Sequence, residues 1–414
     1  NEGQLLRKDE GWNGSSALRT TTYRYRQPAG QPYPEPVGVS PLETGDHLAA
    51  RHRPQDLQVI SQQGVNFSRE TGLFNAFALP LTVTRSSTLG HSRSETTVYS
   101  DHLGKWVIGQ LKSRTGPAGS GNESPVIESH VYDTTTANVL SSYAFERLLH
   151  TNNWLANGML ASRTDGAGRT TGYSDYHRGL ARLISHPDGR TESAAVNNLG
   201  LITSHTNEVQ LTTSYGYDAM GRLASVTPPA GFHPTTLSFV PVQSAAFGMP
   251  AGHWRQTIST GNARTERYFD GLWRERLTRS FDASDAAATP RVVERRFDAD
   301  SRLVYQSYPL ANLGSVDGAL QGTSTGYDAL GRVVSQTQTS ELGLLTTQTD
   351  YLGNFERRIT NPRGFASTQR FQAFDVPSED APAALFGPEQ LNLAIVRDAY
   401  GKPRSVNRSG SYGG

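Results

Sequence analysis

The chain has 414 residues, and at roughly 150 residues per domain this admits two or three ordinary domains or one long repeat array. Its 39 basic and 38 acidic residues leave a formal charge of +1, with no global field to draw nucleic acid or an anionic membrane, so neither is expected as a partner. Cysteine is absent, which excludes disulfides, thiolate metal sites and a cysteine nucleophile, while 41 Gly and 17 Tyr beside abundant Ser and Thr point to short strands with frequent reversals rather than long helices.

The amino end, NEGQLLRKDEGWNGSS, begins at Asn1 rather than Met and lacks an apolar signal core, so the chain reads as processed or cut from something longer. No apolar run approaches the roughly 20 residues needed to span a bilayer, so no membrane insertion is expected. The lack of cysteine fits a chain that crosses membranes unfolded, which suggests a secreted or cell-surface protein. Residues 1–90 hold no clear repeat, though Thr20 to Tyr25 and Leu79 to Arg85 read as strands on either side of a Pro-rich stretch from Pro28 to Pro41. They are expected to be a degenerate opening segment of the array that follows.

Residues 91–375 carry that array. Tyr217 to Thr227 reads YDAMGRLASVT and Tyr327 to Thr337 reads YDALGRVVSQT, and Phe269-Asp270 and Phe297-Asp298 keep the aromatic-aspartate start. Tyr132-Asp133 and Phe374-Asp375 keep that start too, and copies that have drifted further begin at Tyr99, Tyr173 and Asp350. Asp270 and Asp298 are 28 residues apart and Asp298 and Asp328 are 30 apart, enough for about two strands and their turns. Glycine turns of a second kind lie between, at Asp165 to Arg169, Pro187 to Arg190 and Asn361 to Phe365. Residues 376–414 read as a connecting hairpin and a polar tail.

Each position of the motif has a physical task. Tyr217 and Tyr327 end an incoming strand, where a ring can bury apolar area against the neighbouring hairpin. Asp218 and Asp328 can accept backbone amides within the turn, and Gly221 and Gly331 suit a positive φ that would cost a residue with a Cβ on the order of 1 kcal/mol. Arg222 and Arg332 can pair with an aspartate, a surface interaction of roughly 0–1 kcal/mol. A carboxylate recurring at every turn implies turn-fastening rather than acid-base catalysis.

These residues resemble the RHS or YD-repeat family, whose core is YDxxGR followed by a variable stretch. The resemblance implies an all-β fold of consecutive hairpins wound as a spiral, curved sheet forming part of a hollow shell, which in bacterial members encloses a toxin. The expected partners are an enclosed toxin or effector domain and other segments of the same shell. No DPxGL-type motif and no distinct following domain are present in this sequence, so cargo and self-cleavage are not expected within it.

Other motifs are weaker. Eleven histidines without an HExxH or a close ligand pair predict no metal site, and no cofactor is expected. GxSxG is absent, Gly116 to Gly121 lacks the GK[ST] ending of a phosphate loop, and the Asn-x-Ser sequons at Asn13, Asn66, Asn122 and Asn407 are assigned no function. Ser141 to Leu160 comes nearest to a helical pattern, with strand an equal reading. Two further function classes remain: an adhesin or carbohydrate-binding protein that presents Tyr, Trp and Arg to surface glycans, and a polysaccharide-acting enzyme using carboxylates outside the repeat.

Overall fold

The structure is a computed structural model that describes residues 4–26, 54–117, 125–388 and 391–410. The Pro28–Pro41 stretch, most of the Gly116–Gly121 loop, the Asn122 sequon and the last four residues lie outside them. The described residues form 31 β-strands and three single-turn 3₁₀ segments, with no α-helix. No helix among them is long and apolar enough to cross a membrane. The chain is all β, built from antiparallel hairpins in which strands adjacent in sequence are adjacent in the sheet. The segment from Ser141 to Leu160 is strand, not helix. Val139–Ala144 and Arg147–Trp154 are joined by Phe145 and Glu146, both at positive φ (48° and 60°), as a two-residue hairpin turn demands.

The chain divides into two compact units. The first comprises residues 1–151, 327–334 and 347–414. Residues 1–90 contribute more than the two strands legible in the sequence: Arg7–Trp12, Ala17–Tyr25, Gln55–Gln62, Val65–Phe74 and Pro80–Ser87 pair in succession. The core of this unit forms where Ile60, Val65 and Phe67 pack against Phe355, Phe371 and Ala373, with Phe67 and Phe355 edge-on at 5.0 Å.

The second unit comprises residues 152–326 and 335–346. Its core takes Tyr268, Leu277 and Val292 from the strands Ala263–Phe269, Glu275–Asp282 and Arg291–Phe297 and Met249 and Leu313 from the flanking loops, which also supply Phe247, Leu310, Val316 and Leu320 as cover. The strands before it are different. From residue 153 to residue 248 no side chain is buried, although the region contains eight complete strands from Leu160–Asp165 to Thr235–Pro241. That stretch is one sheet layer held by its ladder and cross-strand pairs, such as Thr206 with Thr212 at 2.8 Å, rather than by a core of its own.

Candidate functional site

The element that recurs is one five-residue loop. At Asp218 the backbone N–H bonds the Arg222 carbonyl at 2.9 Å, and the Gly221 N–H returns to the Asp218 carbonyl at 2.9 Å. Asp218 Oδ1 accepts the N–H groups of Met220 and Arg222, both at 2.9 Å, while Oδ2 takes Arg222 Nε at 2.7 Å. This is a tight turn closed by a left-handed fourth residue, with the ladder slipping one residue between Gly216 and Tyr217. Asp328 with Gly331 and Arg332 repeats it.

The turns that differ in sequence converge on the same backbone. Asp165, read above as a second kind, makes the same loop through Ala167, Gly168 and Arg169, and so do Asn361 and Asp398. Asn75, Asn197 and Asn207 also head it, because an amide oxygen accepts the two N–H groups as a carboxylate does. At Asp270 and Asp298 the left-handed position is held by Trp273 and Ser301, each at φ 62°. Several looser copies do not head this loop. Phe374-Asp375 instead places Asp375 against Arg85, Tyr173 to Asp175 lies inside the strand Thr170–His177, and Asp350-Tyr351 lies inside Gly343–Leu352.

The tyrosine has a bond that the motif does not announce. Tyr217 donates its hydroxyl to the Ile202 carbonyl at 2.7 Å, two residues before the ladder between their strands begins at Ser204. Tyr99, Tyr132 and Tyr176 do the same to Pro80, Leu111 and Leu160, each two residues before the first paired residue. Where neighbouring hairpins splay, the phenol supplies the donor the ladder has lost. Burial pushes the phenols of Tyr99, Tyr132 and Tyr176 above their ordinary values and keeps them as donors.

The arginine also reaches further than its own aspartate. Arg274 pairs with Asp270 at 2.8 Å, donates Nη1 to the Asp298 carbonyl of the next turn at 3.0 Å and lies 5.3 Å over the Phe297 ring. Arg332 stacks 3.8 Å over Tyr351, and Arg222 lies 5.4 Å over Phe239. One unit is thereby joined to the aromatic of the unit after it, at roughly 0.5–1 kcal/mol for each stacked cation.

The carboxyls of Asp165, Asp218, Asp270 and Asp298 sit below their ordinary range. For Asp218 and Asp165 the backbone N–H of the closing arginine is the chief cause, followed by its guanidinium. For Asp270 and Asp298 burial pushes upward, and the arginine bonds of Arg274 and Arg302 outweigh it. A carboxylate engaged on both oxygens by donors of its own loop is suited to holding a turn.

Two clusters lie outside the motif. Phe239 stacks on Trp254 at 5.0 Å and on Trp273 at 5.7 Å beside an open cleft of about 510 Å³ lined by His253, Trp254, Asp270, Trp273, Arg276 and Asp317. The second gathers His186, Glu192, His205 and Glu208, with His186 Nε2 2.7 Å from Glu192 Oε1 and His205 Nε2 2.8 Å from Glu192 Oε2. No sequence spacing announces this grouping: strand register, not sequence proximity, assembles these four.

Comparison with known proteins places residues 197–233 on the family model described as RHS Repeat. That segment contains three successive loops, headed by Asn197, Asn207 and Asp218. No curated protein gave a match. Among solved structures, a crystal structure of TcdB2-TccC3 with Cdc42 aligns over 95% of this chain and 22% of its own at 10% identity and TM-score 0.35. A crystal structure of TcdB2-TccC3 aligns over 98% and 27% at 11% identity and TM-score 0.27, and the Photorhabdus luminescens Tc holotoxin pore over 98% and 26% at 10% identity and TM-score 0.22. The chain thus spans about a quarter of the length of those chains. The family match thus covers residues 197–233, and loops of the same build recur on both sides of that segment.

Proposed function

We propose that the chain is a structural, non-catalytic wall segment of an RHS-type β-shell, a spiral of hairpins that encloses or displays a partner such as a toxin or effector domain in a secreted or cell-surface bacterial protein. In this reading residues 91–375 are the array proper, 1–90 its opening and 376–414 its closing connection. Tyr217, Asp218, Gly221, Arg222, Tyr327, Asp328, Gly331, Arg332, Phe269, Asp270, Phe297 and Asp298 serve the wall and no reaction. The observation that carries the proposal is the single-layer sheet from 153 to 248, where eight strands keep regular register with no buried side chain. A sheet with two open faces is a partition rather than a core, and each unit gains its order from the neighbours it is joined to. Electron microscopy of the full-length protein tests it. A hollow particle with density inside is expected; a compact solid particle or an extended disordered chain would sink the idea.

A second reading, surface glycan binding, is favoured by Trp273. A tryptophan in left-handed backbone is strained by on the order of 1 kcal/mol, and such strain marks positions kept for a side chain's use. Trp273 is 57% exposed and forms the outer wall of the 510 Å³ cleft, where a sugar face could stack. A glycan array comparing the protein with Trp273→Gly decides: glycan signal lost in a variant that is equally stable supports the reading, and silence from the parent protein defeats it.

A further inference from the structure

Three consecutive strands, Leu180–Ser185, Thr191–Val196 and Ile202–Thr206, bring the histidine-glutamate cluster together. The register sets Ile184 opposite Glu192 and Ala194 opposite His205. Opposed residues share a face of the sheet, and so do residues two apart on one strand. Glu192 and His205 therefore leave the sheet on the same side, and His186, two residues beyond Ile184, reaches Glu192 from that side too. Glu208 joins from the loop headed by Asn207, its Oε1 3.8 Å from His186 Nε2. Ligand atoms of His186, Glu192 and Glu208 all lie within 4.8 Å of one another.

We propose that His186, Glu192 and Glu208, completed by His205, form a binding site for a divalent transition-metal ion of the zinc type. Two imidazole nitrogens and two carboxylates make the mixed set that zinc accepts in tetrahedral geometry, whereas calcium and magnesium take oxygen ligands throughout. With ligands about 2.0–2.1 Å from a tetrahedral ion, neighbouring donor atoms stand roughly 3.3 Å apart. The His186–Glu192 separation of 2.7 Å and the His186–Glu208 separation of 3.8 Å bracket that value, so side-chain rotations would bring these donors around one ion, with His205 turning from Glu192 Oε2 to complete the set. The side chains permit these rotations: His186 is 26%, His205 37% and Glu208 44% exposed, which also leaves the ion a path of entry. Glu192 is the hub. Its Oε1 stands 2.7 Å from His186 Nε2 and its Oε2 2.8 Å from His205 Nε2, so one carboxylate joins both imidazoles. A bound ion would cross-link three strands in a region that has no buried side chain. The proposal stands whatever the wall encloses.

Calorimetric titration of the chelator-treated 414-residue chain with zinc chloride is the test, with cobalt(II) as a spectroscopic substitute. The expected result is one ion per chain at a dissociation constant on the order of micromolar or tighter, a raised Tm, and visible cobalt absorption of tetrahedral intensity. Glu192→Gln and Glu208→Gln should each weaken zinc at least about 10-fold, while His130→Ala, on a strand of the first unit, leaves it unchanged. Glu208 lies in an exposed loop, so its variant carries the test if the Glu192 variant misfolds. No uptake at about 1 mM zinc, affinity unaltered by both variants, or calcium bound as tightly as zinc would each overturn the proposal.

Discussion

At Asp270 two kinds of bond converge on one carboxyl group, and they can be separated. Oδ1 holds the Leu272 and Arg274 amides, and Oδ2 holds the Arg274 guanidinium. Asp270→Asn keeps the first and loses the charge pair, as the native loops at Asn197 and Asn207 already do. We expect Asp270→Asn to cost under about 1 kcal/mol and Asp270→Ala about 1–2 kcal/mol, because alanine leaves partly buried N–H groups without an acceptor. Chemical denaturation of the two variants checks this; equal losses would mean that the ion pair, and not the amide bonds, secures the turn. Glu294 is a harsher case. It is fully buried, accepts Arg296 Nε at 2.7 Å and also the Asp317 N–H at 2.7 Å, which pins the loop covering Leu313 to its strand. Glu294→Ala removes the buried carboxylate from Arg296, leaving it the Gly318 carbonyl and Asp317, and orphans the Asp317 N–H; it should cost about 3 kcal/mol, read as a fall in denaturant midpoint. A loss below about 1 kcal/mol would show that water replaces the carboxylate there without penalty.

At the scale of the hairpin, the tyrosine clasp decides how far a ladder stays ordered. Tyr176→Phe removes the 2.6 Å bond to the Leu160 carbonyl and nothing else. It should cost about 1 kcal/mol, with faster amide exchange confined to the start of Leu160–Asp165 and the end of Thr170–His177. Exchange quickened along both whole strands would instead mean that the ring, not the hydroxyl, holds the pair. The clasp also shows which features a sequence can reveal. YDAMGR announces its loop because the loop's demands are local: an acceptor at the first residue and a left-handed fourth. Asn197 and Asn207 meet the first demand and Gln210 the second at φ 63°, without matching the motif's letters. The Tyr217 acceptor depends on where a ladder 15 residues away begins, and the stacking of Arg274 on Phe297 depends on which hairpin lies alongside. The histidine-glutamate cluster is hidden for the same reason: Glu192 and His205 meet only once the register of two strands is fixed.

At the scale of the whole molecule, many shallow turns replace one deep core, and pH should expose it. The carboxyls of Asp165, Asp218, Asp270, Asp298 and Asp398 all lie below the ordinary value of about 3.9, each through donors of its own loop. The unfolded chain therefore takes up protons before the folded one does. Stabilisation from these groups is fully present above the unfolded value and is lost as pH falls through the lower folded values. His91, whose imidazole burial holds below its ordinary value, starts a shallower decline from about pH 6.5, because the unfolded chain again protonates first. The expected Tm profile falls gently below about pH 6.5 and steeply below about pH 4. Its acid limb should be steeper than a single carboxyl allows, since the shifted groups stand at separate loops and their proton uptake adds. A triple variant, Asp165→Asn, Asp218→Asn and Asp298→Asn, keeps the amide acceptors and removes three of the titrating groups. Its Tm should be modestly lower than the parent's at pH 7 and should converge on it as pH falls through the lowered folded values, where the parent's carboxylates become protonated too. An acid limb of undiminished slope in that variant would place the proton uptake elsewhere and leave the loops without a part in it.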